Sequence, residues 1–214
     1  MRAFASFISW LFLPLFTPIY ALLAVMYIPM YSTSFVANAS LYLLYPTIKM
    51  LYLLLFLIFI TIAPGISFYV MKKNKTISSI QMENREERRA PILLMFFYCL
   101  MLFFFLNYQA EGTYVPSILK AMVFGGALAA IIAFLVTERM KISLHAIGMG
   151  AMFGFLYMYS LPLENIPLIL LISVLTLGGI VMAARIYLNA HTLKEITWGY
   201  LLGFFTQVIC IFLI

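Results

Sequence analysis

Long apolar runs separated by short polar breaks organise this chain of 214 residues. The runs fall at roughly 4–28, 47–71, 91–107, 118–136, 146–161, 167–188 and 196–214. They are far longer than the ~10-residue alternating strands of a membrane barrel. A helix crossing a ~30 Å hydrocarbon core needs about 20 residues, and most runs approach that length. The pattern predicts an all-α, polytopic membrane helical bundle of about six to seven transmembrane helices. Several runs are short for the core, and the first contains Pro14 and Pro18, which interrupt helical hydrogen bonding. Residues 29–46 are uncharged and rich in Tyr and Ser, which predicts a segment lying in the interface. Gly125-Gly126, Gly148, Gly150, Gly178-Gly179 and Gly199 with Gly203 predict close helix approach, the last pair as a small-residue packing face. No internal repeat or low-complexity linker divides the sequence, so residues 1–214 read as a single membrane-embedded domain.

Composition sharpens the class. Hydrophobic residues make up 65% of the chain, against about half in a soluble domain, and the mean hydropathy is +1.09. The net charge of +6 then reports orientation in a membrane and does not point to nucleic acid. With seven spans, alternate breaks share a side. Arg2, Lys72, Lys73, Lys75, Arg85, Arg88, Arg89, Arg139, Lys141, Arg185 and Lys194 fall on one side, and only Lys49 and Lys120 on the other. The positive-inside rule makes the first side cytoplasmic. Cys99 and Cys210 both sit inside apolar runs, so no disulfide framework is expected. Arg2 with the apolar stretch behind it could mimic a signal peptide, but the two prolines and the continuing apolar chain favour a retained first helix. All seven acidic residues are Glu (83, 86, 87, 111, 138, 164 and 195), with no Asp. A Mg²⁺ site built on clustered acidic residues is therefore not expected, and neither a metal nor another cofactor is called for.

The candidate chemistry lies at the breaks. The only two histidines, His145 and His191, each precede an apolar run that reads as a new helix. His191 and Glu195 are four apart and share one helical face. Glu195 can accept a hydrogen bond from Nδ1–H of His191, fixing the tautomer and leaving Nε2 as nucleophile or base. Arg185 ends the preceding run, and a turn at Asn189-Ala190 lets it converge on His191. Ser143 is a plausible N-cap for the helix that His145 opens, where free N–H groups favour an anion, and Lys141 adds positive charge. Arg85 and Arg89 are four apart in the 83–91 stretch and can present two guanidinium forks to a phosphate. A solvated helix with Glu–Arg pairs explains that stretch equally well.

These residues resemble the motifs of the type 2 phosphatidic acid phosphatase superfamily. Ile142-Ser143-Leu144-His145, after Lys141, is similar to its second motif, Pro-Ser-Gly-His. Ala184-Arg185, five residues, His191, three residues, Glu195 is similar to its third, Ser-Arg, five residues, His, three residues, Asp. The first motif, Lys, six residues, Arg-Pro, is matched loosely. Arg89-Ala90-Pro91 carries one extra residue, Met82 stands seven before Arg89, and Arg85 is available to replace the missing lysine. The resemblance covers about residues 80–205 and looks nearest to a divergent membrane branch found in Bacteroidetes, which implies a bacterial inner membrane.

What the resemblance implies is a metal-independent lipid phosphatase or phosphotransferase. Its substrate would be an isoprenyl (di)phosphate, a phosphatidate-type lipid or a lipid A phosphate. His191 would form a phosphohistidine, Glu195 would orient it, and His145 would protonate the leaving group. Arg185, Lys141, Ser143 and one or two of Arg85, Arg88 and Arg89 would cradle the phosphoryl oxygens. Leu144 in place of Gly and Glu195 in place of Asp favour the alternative, a non-catalytic member of the same fold that binds phospholipid head groups or serves as a subunit of a membrane complex. Haem ligation would need both histidines inside the bundle facing one plane. A transporter would show paired broken helices of the inverted-repeat kind.

Overall fold

The structure is a computed structural model that describes residues 1–30, 40–79, 82, 84–108, 115–163 and 165–213. Glu83, Glu111, Glu164 and residues 31–39 of the stretch read as interfacial lie outside the described residues. The chain is helical: α1 (Arg2–Leu11), α2 (Thr17–Tyr27), α3 (Pro46–Lys73), α4 (Arg89–Tyr108), α5 (Ser117–Thr137), α6 (Leu144–Ser160), α7 (Leu168–Tyr187) and α8 (Leu193–Leu213). Among the described residues, five stretches are long and apolar enough to cross a membrane: Pro46–Lys73, Glu86–Tyr108, Ser117–Thr137, Leu168–Tyr187 and Leu193–Leu213. The protein is thus a multi-pass helical membrane bundle.

Two expected spans take another form. The run at 4–28 is not one helix. It breaks between Leu11 and Thr17 around Pro14, and α1 and α2, of 10 and 11 residues, are each only about 15 Å long. Pro18 falls at the start of α2, where its missing N–H costs nothing. The run at 146–161 becomes α6, 17 residues long and mostly buried.

In α3 the six residues Leu57–Ile62 widen into π-helical turns, with Ala63 N–H donating to the Ile58 carbonyl. Pro64 gives the physical reason. It has no N–H, and its ring crowds the carbonyl four residues back, that of Ile60. The hydroxyl of Thr61, in the widened segment, donates to the Leu15 carbonyl at 2.8 Å and ties α3 to the break between α1 and α2.

The most extensive helix contact joins α6 to α8. A Cβ on Gly150 would collide with the Tyr200 carbonyl, one on Gly154 with the Phe204 carbonyl, one on Gly199 with the Ser143 carbonyl, and one on Gly203 with the Ile147 carbonyl. Positions rise together along both helices, so α6 and α8 run parallel, with α7 as the return. Backbone contact of this kind is what small residues permit between membrane helices. The expected Gly199–Gly203 packing face is therefore real, and Gly150 and Gly154 form its counterpart.

The three breaks expected on one side do meet at one end of the bundle. Arg89 pairs with Glu138 at 2.8 Å, Nη1 of Arg88 donates to the Ile142 carbonyl, Nζ of Lys141 to the Ala190 carbonyl, and Ser143 N–H to the Glu195 carbonyl. Lys49 lies elsewhere, with its ammonium 5.2 Å and 5.0 Å from the ring centres of Tyr27 and Tyr42.

Gly203→Val should lower the thermal unfolding midpoint of the detergent-solubilised protein by the equivalent of about 1–3 kcal/mol or more, the cost of overpacking. Gly179, which has nothing within 4 Å of a built Cβ, should accept Ala with a change inside about 0.5 kcal/mol. Equal loss in both variants would show that the α6–α8 contact is not the tight one.

Candidate anion site at the joined helix ends

The site begins with a turn. α7 ends in a Schellman motif in which Asn189 takes the left-handed conformation, φ 54°. Asn189 N–H donates to the Ile186 carbonyl and Ala190 N–H to the Arg185 carbonyl. Asn tolerates this conformation better than any residue except Gly. The reversal brings Arg185, in the last turn of α7, and His191, just before α8, to the wall of one cavity.

α8 then opens with a reciprocal cap. Thr192 N–H donates to Oε2 of Glu195 at 3.1 Å, and Glu195 N–H donates to Oγ1 of Thr192 at 3.3 Å. This is the capping box that Thr-x-x-Glu forms. The same Oε2 accepts from Nδ1 of His191 at 2.9 Å, as the four-residue spacing anticipates. One carboxylate therefore holds both the helix end and the imidazole. The His191 side chain is 1% exposed and that of Glu195 17%.

At the start of α6, Ser143 caps the helix by accepting from Ala146 N–H at 3.4 Å. His145, in the first turn, directs Nε2 at the carbonyl of Ser9 in α1, 3.0 Å away. A carbonyl only accepts, so this nitrogen carries the ring proton. Both α6 and α8 present their N-termini here, and two positive helix ends stand side by side.

Among the three candidate arginines the structure separates the roles. Arg88 is buried, donates from Nε to the Met82 carbonyl at 2.7 Å and from Nη1 to the Ile142 carbonyl at 2.9 Å, and lines the cavity. Arg89 is half exposed, paired with Glu138 and stacked over Phe134. Arg85 is exposed. The pairing of Arg85 with Arg89 as two forks on one phosphate is thus corrected, because they leave the cavity and Arg88 enters it. The sequence carried a signal for this. Positions 88, 92, 95, 99, 102 and 106 follow a 4-3-4-3-4 spacing, and Ile92, Cys99, Leu102 and Leu106 on it are buried. Arg89 is off that stripe.

Arg88, His145, Arg185 and His191 line one cavity of about 190 Å³. Lys141 and Ser143 stand beside it, and neither is in its wall. Burial holds His191 down to a pKa of about 3, helped by the charges of Arg88, Arg185 and Lys141, against a hydrogen bond with the Lys141 backbone. The imidazole is therefore neutral at physiological pH. Two parts of the wall carry no cue in the motifs: Gln207, a polar residue inside the last apolar run, and the chain at the break between α1 and α2 (Leu13, Pro14, Leu15, Thr17 and Pro18), which covers part of the cavity. Among the described residues no group of three His, Cys, Asp or Glu side chains is placed to hold a metal ion.

Comparison with known proteins gives no match to any family model, to any curated protein or to any solved structure. The chemistry must be argued from the site. Arg88 and Arg185 are 2% and 3% exposed and within range of each other's charge. Two buried guanidinium groups and two helix N-termini, set against the carboxylate of Glu195, favour a multiply charged anion.

In long-range ¹H–¹⁵N spectra of the solubilised protein, assigned with His145→Gln, the His191 ring should keep the neutral pattern from pH 8 down to pH 5. The sign follows from the direction of the shift. With a folded pKa near 3 and an unfolded value of ~6.5, the folded state binds fewer protons between those limits, so stability falls as pH drops through that window. A His191 midpoint above pH 6 would contradict the burial and charge described here.

Proposed function

We propose that this protein is a membrane lipid phosphatase or phosphotransferase that works without a metal through a phosphohistidine. The observation that carries the reading is one cavity shared by His145, His191, Arg185 and Arg88, with Glu195 on Nδ1 of His191. In the neutral ring so held, Nε2 keeps its lone pair and attacks phosphorus in line with the leaving alkoxide. The P–O bond to the lipid breaks as the N–P bond forms, and His145, entering the step as an imidazolium with a second proton on Nδ1, gives that proton to the alkoxide and returns to the neutral ring, which takes a proton back from the water of the second step. Water then takes the phosphoryl group from Nε2. Arg88 and Arg185 balance the charge on the equatorial oxygens, which is the main demand of phosphoryl transfer. Lys141 and Ser143 support the site from its rim, as the third cation and the cap of α6.

Helices α3 to α8 make six crossings in this reading, with α1 and α2 as half-length helices. Eleven cations gather at the site end or its flanks against Lys49 and Lys120, so the site faces the cytoplasm, in a bacterial inner membrane.

A second reading has its own support. Nε2 of His145 is engaged by the Ser9 carbonyl and the His191 ring by the Lys141 backbone, an arrangement suited to holding a phospholipid head group without turnover.

His191→Ala should abolish phosphate release from lipid phosphates. Glu195→Gln should reduce it on the order of 10²-fold or more, the size of base and orientation effects. Because Glu195 also caps α8, Thr192→Ala serves as the control, weakening the cap while leaving the His191 partner. Chelator should change nothing. Retained turnover in His191→Ala, or loss with chelator that Mg²⁺ restores, would exclude the mechanism. Phosphate binding with no turnover in the wild type would favour the second reading.

A further inference from the structure

The cavity does not stop at the histidines. On α5 it is walled by Gly126, Ala129, Ala130 and Ala133, a row of small residues at i, i+3, i+4 and i+7, and Phe56 of α3 lines the same space. From Ala133, level with the polar end, to Met122 is a drop of about 16 Å at the α-helical rise. About 190 Å³ drawn out over that length makes the space long and narrow, the shape of one extended chain.

Gln207 forms the far end. It is 3% exposed, and its Nε2 bridges from α8 to the Met122 carbonyl at 3.0 Å. The amide presses on Gly125, where any Cβ would meet it. That hydrogen bond fixes the amide orientation, and Oε1 is left buried without a hydrogen-bond partner. Covering such an acceptor with methylenes is unfavourable. The amide, bridged from α8 to α5, closes the channel at this depth, and a longer chain would have to displace it.

We propose that the channel holds the single hydrocarbon chain of an amphiphile whose phosphate sits among Arg88, Arg185 and His191, and that Gln207 sets the longest chain accepted. The inference rests on the phosphate reading of the polar end and adds the substrate class: single-chain phosphomonoesters of limited length. A zigzag of ~1.5 Å carbon–carbon bonds advances ~1.3 Å per carbon, so 16 Å corresponds to about 12 carbons.

The test uses alkyl phosphonates, which cannot be hydrolysed, with 6 to 18 carbons and the full-length protein in nanodiscs. Uptake by empty nanodiscs is subtracted, and Kd is referred to the free aqueous concentration. Affinity should rise about fourfold per methylene, the factor for one buried CH₂, up to about 12 carbons, and then fall. Gln207→Ala should move the optimum to longer chains. Ala129→Leu, about 6 Å below Ala133, should remove binding of chains longer than about six carbons. Misfolding cannot produce opposite shifts in two variants. An affinity that climbs with chain length without limit, equally in all three proteins, overturns the proposal. If the length optimum appears but the matching alkyl phosphates release no phosphate, the channel stands and the phosphatase reading falls. If phosphate is released at a rate indifferent to chain length, the channel falls and the phosphatase reading stands.

Discussion

The contact between α6 and α8 sets the positions on which the rest of the bundle depends. Within a membrane there is little hydrophobic gain in bringing two apolar helices together, so close packing must supply the attraction. Here four glycines let backbone meet backbone. The helices run parallel, and parallel neighbours place like ends together. The repulsion between two positive helix ends is accepted where they meet, and Ser143 N–H bonding to the Glu195 carbonyl ties them. His145 and His191 enter at those ends. Their shared cavity is a consequence of the glycine contact and not an independent arrangement.

The charge at this end would be costly without the local bonding described. Arg88 has two backbone carbonyls to itself, and these also fasten the turn before α4 to the strand of chain before α6. The same side chain is thus a structural clasp and a source of field. Glu195 is similar, as a cap for α8 and a partner for His191. Residues with two duties limit what substitution can reveal, and their effects on stability and on chemistry have to be separated by measuring both.

Much of this was legible in the sequence, for identifiable reasons. Apolar runs of near-membrane length announce helices because nothing else satisfies their backbone in lipid. The i, i+4 spacing of His191 and Glu195 is a local geometric fact, and so is the turn at Asn189. The Gly199–Gly203 face was visible because small residues at that spacing have few other uses. What was hidden depended on distance in the chain. How the break between α1 and α2 is seated, with Pro14 against Gly148 of α6 and the Leu15 carbonyl bonded by Thr61 of α3, joins residues far apart in the chain. That Arg88 rather than Arg85 or Arg89 turns inward required following the buried stripe of α4 back past Pro91. The capping box at Thr192 was readable in the Thr-x-x-Glu spacing. Gln207 joins the cavity through α5, which no local pattern discloses.

The hydrogen bond between His145 and the Ser9 carbonyl spans 136 residues of chain. α1 is made before its partner, with α2, α3, α4 and α5 between them in the chain. A helix of 10 residues is about half the length a crossing needs, so the hold that His145 gives α1 is absent until α6 has been made. α8, made after α6 and α7, completes the cavity wall with His191 just ahead of it. The site is consequently assembled late, because Arg88, His145 and Arg185 wait for His191, and a chain that stops short of α8 has an incomplete cavity wall.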